Sequence, residues 1–201
     1  MTKFSPAFYL QKDVCNIARN LLGCSVFSQI DGSPVTGGII VETEAYAGIT
    51  DRASHAYNNR RTPRTEIMFH CGGVAYVYLC YGMHSLLNVV TNREGIPHAI
   101  LIRAIEPTAG TSTMLIRRRK KEITPALTAG PAMLTQALGI NTTHSGEDLR
   151  GSRIWIEKSA KKIPANQILA TPRVGVDYAG SDAKLPWRFR IRNNQWTSKA
   201  K

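Results

Sequence analysis

Between Glu42 and Arg103 the chain gathers residue types that rarely meet by chance. Glu42 and Glu44 flank Thr43, and Tyr46 follows. His55 comes next, then Tyr76 and Tyr78, Tyr81-Gly82-Met83, Asn88 and Arg103. A carboxylate can take a proton from water and stabilise a developing cation. Tyrosine and histidine rings can hold a flat aromatic group. On a chain of formal net charge +12, with 26 Lys+Arg against 14 Asp+Glu, that group would come from a polyanion.

The elements that carry these residues read as strands. Side chains alternate along a strand, so in Gly38–Tyr46 the residues Glu42, Glu44 and Tyr46 share one side. In Val74–Tyr81, Tyr76 and Tyr78 point one way and Val77 and Leu79 the other. Tyr81-Gly82 falls at the strand end, where a projecting ring could wedge into a stack. Arg103 interrupts the apolar run Ala99–Ile105, so it is expected to be buried, and a buried arginine needs a carboxylate partner. Glu44 and Glu42 are both candidates. Bland readings exist for each feature. Glu-x-Glu is common on solvated faces, a tyrosine stripe can be packing, and a loop histidine can be merely hydrated.

Further elements follow from periodicity and punctuation. Asp13 caps a helix to about Leu22, with Val14, Ile17, Ala18 and Leu21 at helical spacing and Gly23 as its stop. Strands are expected at Cys24–Gln29, Gly37–Tyr46, Val74–Tyr81, Leu86–Asn92 and Ala99–Glu106, with Pro107 ending the last. Asp31-Gly32-Ser33-Pro34 is a turn, and Gly48–Pro63 with the adjoining Arg64 is a polar, irregular loop. Helices are expected after Thr108, into the basic run Arg117–Lys121, and over Ala132–Leu138 between Gly130-Pro131 and Gly139. Late strands fall at Arg153–Glu157 and Trp187–Arg192. Strands that run together early argue for a mixed or antiparallel sheet rather than a doubly wound one.

A length of 201 residues and 43% hydrophobic content suit one domain with a real core. The positive excess favours phosphate backbones or anionic membranes. No apolar stretch reaches the length of a membrane span, and no apolar signal core precedes Asp13, so a cytoplasmic protein is expected. Cys15, Cys24, Cys71 and Cys80 lack paired spacing and read as buried free thiols. No metal and no cofactor is expected.

An enzyme that acts on a base in duplex DNA must turn it out of the helix and hold it between aromatic faces. One carboxylate can then stabilise the oxocarbenium-like sugar and activate water. At this point the chain resembles the alkyladenine (3-methyladenine) DNA glycosylase family of the non-helix-hairpin-helix type. The resemblance rests on Val41-Glu42-Thr43-Glu44-Ala45-Tyr46, Ser54-His55, Arg61-Thr62-Pro63-Arg64, Met68-Phe69, Tyr76-Val77-Tyr78, Tyr81-Gly82-Met83, Asn88, Leu101–Pro107, Gly130-Pro131 and Arg173–Gly180.

The resemblance implies an α+β fold, a single DNA glycosylase domain over residues 1–201 on a curved, largely antiparallel β-sheet with flanking helices. It implies a monofunctional enzyme that hydrolyses the N-glycosidic bond of alkylated or deaminated purines and leaves an abasic site. Glu44 matches the general base and Arg103 the arginine that helps hold the water. Tyr46, His55 and Tyr78 match the residues around the flipped base, and Asn88 the amide that discriminates against guanine. Tyr81 matches the inserted side chain, with Met83 and Met68 lining the DNA-facing surface and pocket. The implied partner is double-stranded DNA containing damaged purines, met by a monomer in the bacterial cytoplasm at the nucleoid, without a membrane. Two positions depart from relatives: His84 beside the wedge, and Met133 where a lysine is often found. The basic run Arg117–Lys121 could compensate for the latter, or be only a solvated helix end. Two other classes are weighed: a non-catalytic nucleic-acid module, which needs no buried Glu44–Arg103 pair, and a carbohydrate glycosidase using Glu42 and Glu44 as an acid pair.

Overall fold

The computed structural model describes residues 2–199; Met1, Ala200 and Lys201 of the expected 1–201 domain lie outside the described residues. The chain begins with a single helical turn, α1 (Pro6–Tyr9), too short to show periodicity in the sequence. Asp13 then caps α2 (Val14–Leu21), its carboxylate accepting the Asn16 N–H at 2.9 Å. This satisfies one of the free donors of the first turn. Val14, Ile17, Ala18 and Leu21 are buried, as their spacing requires.

Two strands follow, β1 (Ser25–Ser28) and β2 (Thr36–Tyr46). They are joined through Asp31-Gly32, both at positive φ. After the long polar loop come β3 (Ala75–Cys80), β4 (His84–Thr91) and β5 (His98–Ala109). Helices α3 (Thr111–Arg118) and α4 (Pro131–Leu138) are followed by β6 (Ile154–Glu157), β7 (Ile168–Thr171) and β8 (Arg188–Ile191). The four-residue β7 was not expected. The eight strands form one sheet, in the order β3-β4-β5-β2-β1-β6, with β8 pairing both β2 and β7. Every pairing between named strands is antiparallel.

Pro107 does not end β5, contrary to expectation. It pairs with Gly38 at a register shift. Beyond Leu101 the other edge of β5 has, among the described residues, no strand partner, only an isolated bridge from Ala104 to Ala129. A proline is tolerated there because no ladder donor is lost. Gly38 is required opposite: a Cβ on it would stand 2.2 Å from the Glu106 carbonyl oxygen.

The β2–β5 ladder positions the candidate site. Its register passes from Ile40↔Ile105 to Glu42↔Ala104 and then Thr43↔Ile102. Val41 on one strand and Arg103 on the other are therefore extra residues without a Cα partner. Such bulges re-aim a side chain. The opposite face of β2 packs on α2, where the Thr43 hydroxyl donates to the Ala18 carbonyl at 3.0 Å. The main core fills that side with residues including Val41, Ala45, Ile100 and Ile102.

The basic run divides into two uses. Arg117 donates to Thr36 Oγ1, Ser33 Oγ and the Ala137 carbonyl, and Arg118 to the Leu127 and Ala126 carbonyls. Those two tie α3 to its neighbours, while Arg119, Lys120 and Lys121 are exposed. All four cysteines are free, but only Cys24 is buried; Cys71 is exposed in the loop before β3, and Cys15 and Cys80 are half-buried. No described helix is long and apolar enough to cross a membrane.

Candidate active site

A cavity of about 420 Å³ opens over the end of the sheet where β2, β3, β4 and β5 converge. Its lining includes Tyr46, His55, Tyr78, Asn88 and Arg103, with Tyr81 at its rim. The volume is within the usual range for small-molecule sites, roughly 300–1,000 Å³. The predicted binding residues are thus brought together from two strand pairs and a loop some tens of residues apart.

Glu44 lies behind the cavity wall and is 0% exposed. Two groups donate to its carboxylate and a third pairs with it by charge. The Val174 N–H reaches Oε1 at 2.8 Å, the Tyr46 hydroxyl reaches Oε2 at 2.9 Å, and Arg103 Nη1 lies 3.3 Å from Oε2. Burial first, and then the charge of Glu44, pushes the Tyr46 phenol well above its ordinary pKa, so that hydroxyl is a donor. Arg103 is shared: its Nε donates to Glu42 Oε1 at 2.9 Å. Sequence reasoning offered Glu44 or Glu42 as its partner; the bulge sets it between both.

Glu42 is not a free acid. It also accepts from Arg188 Nε at 2.6 Å, the Ser198 N–H at 2.6 Å and Ser198 Oγ at 2.8 Å. It does not line the cavity. An acid pair of Glu42 and Glu44, as a sugar hydrolase would need, is therefore absent.

The ring wall is braced from behind. Tyr76 and Tyr78 stack at 5.4 Å between centroids, and His55 meets Tyr78 edge-on at 4.5 Å. His55 Nδ1 is 2.8 Å from the buried Tyr76 hydroxyl. Burial, then the charges of Arg64 and Arg60, lowers the His55 pKa to about 4, so the imidazole is neutral at neutral pH. Burial likewise raises both tyrosines. Asn88 is held by its own amide, which donates to the Tyr76 carbonyl at 3.2 Å and the Leu86 carbonyl at 3.4 Å.

A second buried ion pair joins three walls. Arg173 Nη2 donates to Asp51 Oδ1 at 2.9 Å and Nη1 to the Ala45 carbonyl at 2.9 Å. Its guanidinium lies over the Tyr46 ring at 4.8 Å. Asp51 in turn accepts the Ala47 and Ala53 N–H groups. The end of β2, the His55 loop and the segment carrying Val174 are thus fastened at one point.

At the β3–β4 hairpin tip, Tyr81 and Met83 are 87% and 73% exposed. Tyr81 and Gly82 both have positive φ, 51° and 68°, and the Met83 N–H returns to the Cys80 carbonyl at 3.2 Å. Left-handed backbone at both central positions is what a tight hairpin turn demands. Met68 is buried in the turn Glu66–Phe69 and lines the cavity. His84 is exposed beside Met83, and Met133 is exposed on α4.

The profile of the methylpurine-DNA glycosylase family matches residues 7–195. The chain belongs to that family. A relative from Chlamydia felis is 48% identical over 186 residues, covering 92% of this chain and 94% of its own. One from Desulfitobacterium hafniense is 41% identical over 205 residues, covering 98% and 99%. One from Bacillus cytotoxicus is 43% identical over 205 residues, covering 98% and 100%. All three are provisionally named 3-methyladenine DNA glycosylase. As a methylpurine-DNA glycosylase, the protein is a DNA N-glycosylase, a DNA-repair hydrolase whose substrate is an alkylated purine in DNA.

Several residues of this glycosylase's site were missed in the sequence. Tyr76 had been seen only as part of a stripe, yet its hydroxyl is the partner of His55. Asp51, Arg188 and Ser198 carried no signal, because the contact that ties each to the site lies more than ninety residues away in the chain.

Proposed function

We propose that Glu44 is the general base for excision of 3-methyladenine and related alkylated or deaminated purines from double-stranded DNA. The lesion nucleotide is turned out of the helix and its base enters the ring-lined cavity. Water attacks C1′ of the sugar and gives its proton to the Glu44 carboxylate. The C1′–N bond breaks with its electron pair staying on the base, leaving an abasic site. A base carrying positive charge leaves as a neutral molecule, so such lesions react fastest.

The other side chains take supporting roles. Arg103 orients Glu44 and the water. Tyr46, Tyr78 and His55 hold the base. With Tyr76 donating to Nδ1, the neutral His55 ring presents Nε2–H to the base edge. Asn88, tied to two backbone carbonyls, cannot swing aside, so the exocyclic amino group of guanine collides with it. Tyr81 fills the gap left in the duplex, with Met83 beside it. The enzyme works as a monomer, as a single domain, in the bacterial cytoplasm.

The observation that carries this reading is the buried Glu44 paired with Arg103, which itself lines the cavity. A binding module would have no use for that costly arrangement. Single-turnover excision from a duplex with one damaged adenine tests it. Glu44→Gln is expected to abolish excision and keep lesion binding; a fully active variant would overturn the assignment.

A further inference from the structure

Glu42 receives four donors: Arg103 Nε, Arg188 Nε, and the backbone N–H and hydroxyl of Ser198. Three of these converge on Oε1 and the Ser198 N–H alone takes Oε2, so Oε1, with its two lone pairs, is crowded. Ser198 binds the group further, since its hydroxyl accepts from Arg103 Nη2 at 3.3 Å and its carbonyl from Arg188 Nη2 at 3.0 Å. The buried charges balance: two carboxylates, Glu42 and Glu44, against two guanidiniums, Arg103 and Arg188. Within this set Arg103 is the contested member. It stands 2.9 Å from Glu42 and 3.3 Å from Glu44.

We propose that Arg188 is a positioning residue for excision: by occupying Glu42 it leaves Arg103 Nη1 free to reach Glu44. Arg188 is buried and does not line the cavity, so it acts through its contacts with Glu42 and Ser198. Without it, Oε1 of Glu42 keeps two donors and the buried charge is unbalanced. Arg103, the remaining guanidinium, then draws further onto Glu42 and withdraws Nη1 from Glu44. The remaining ionisable groups around Glu44, namely Tyr46, Tyr78 and Arg173, come from other elements and are not altered; Arg190 lies alongside Arg188 on β8. The inference rests on Glu44 being the base.

The test is single-turnover excision, with affinity for an abasic-site duplex measured in parallel. Arg188→Gln is expected to slow excision by about tenfold to a hundredfold, the scale of a small misplacement at a reacting centre. Its affinity should be unchanged. Arg188→Lys should recover most of the rate. An unaltered rate, a loss confined to affinity, or a loss that lysine does not recover would overturn the proposal. If Arg188→Gln fails to fold by circular dichroism, Ser198→Ala decides: it should slow excision at unchanged affinity, and an unchanged rate refutes the idea. Glu44→Gln in the same assay separates the two readings. An active Glu44→Gln removes the base itself. An inactive one beside an unaltered Arg188→Gln removes only the positioning role.

Discussion

Tyr46 donates its hydroxyl to Oε2 of Glu44 at 2.9 Å, two residues back along the same strand. The ring offered to a base is thereby tethered to the carboxylate offered to water. Tyr46→Phe keeps the ring and removes one donor from Glu44. Without that donor the carboxylate is less firmly aimed, so excision should slow by about tenfold, the scale of a small misplacement at a reacting centre. Lesion affinity should change less than twofold, roughly the worth of a stacking face left intact. Single-turnover rates of the variant check this, and an unslowed rate would show that the tether is idle.

His55 makes stability depend on pH in a stated direction. Its folded pKa of about 4 is below the ordinary histidine value of 6.5, so the unfolded chain binds the proton more readily. Stability is full above pH 6.5 and declines as pH falls from there towards 4, by roughly 2–3 kcal/mol from this group alone. His55→Gln should flatten that part of the curve. Urea midpoints at pH 7 and 4.5 for both proteins measure it.

Glu42→Ala leaves two buried guanidiniums without their shared carboxylate. A loss of about 3–5 kcal/mol is expected. Denaturant unfolding at neutral pH gives the number, and a loss below about 1 kcal/mol would mean that water or Glu44 replaces the missing charge.

Tyr81 should separate stability from function. Its φ of 51° is a conformation that glycine adopts without strain. Tyr81→Gly is therefore expected to hold or raise stability by up to about 1 kcal/mol while weakening binding to abasic-site DNA. Chemistry on a pre-formed single-stranded lesion should persist. Thermal melts and binding isotherms together test it; an unchanged affinity would remove the wedge role.

Much of the scaffold was legible because its signals are local. Asp13 with its apolar i, i+3, i+4 partners specified α2, and alternation specified the faces of β2 and β3. Most boundaries shifted by one or two residues and the end of β5 by three, since strand ends depend on what pairs with them. Pro107 was misread for that reason: whether a missing N–H matters depends on a neighbour the sequence does not name. The cysteines were misjudged likewise, since burial of Cys71 depends on how its loop lies.

The sequence by itself determined which side chains face one way along each strand, that Arg103 must be buried against a carboxylate, and which family the motifs resemble. Only the tertiary structure decided how the charges are shared. Two offsetting bulges in the β2–β5 ladder set Arg103 between Glu42 and Glu44. Arg188 and Ser198, from the far end of the chain, then add three donors to Glu42. Periodicity along one segment carries no information about such contacts, because a guanidinium chooses its partner by distance and burial rather than by position in the chain.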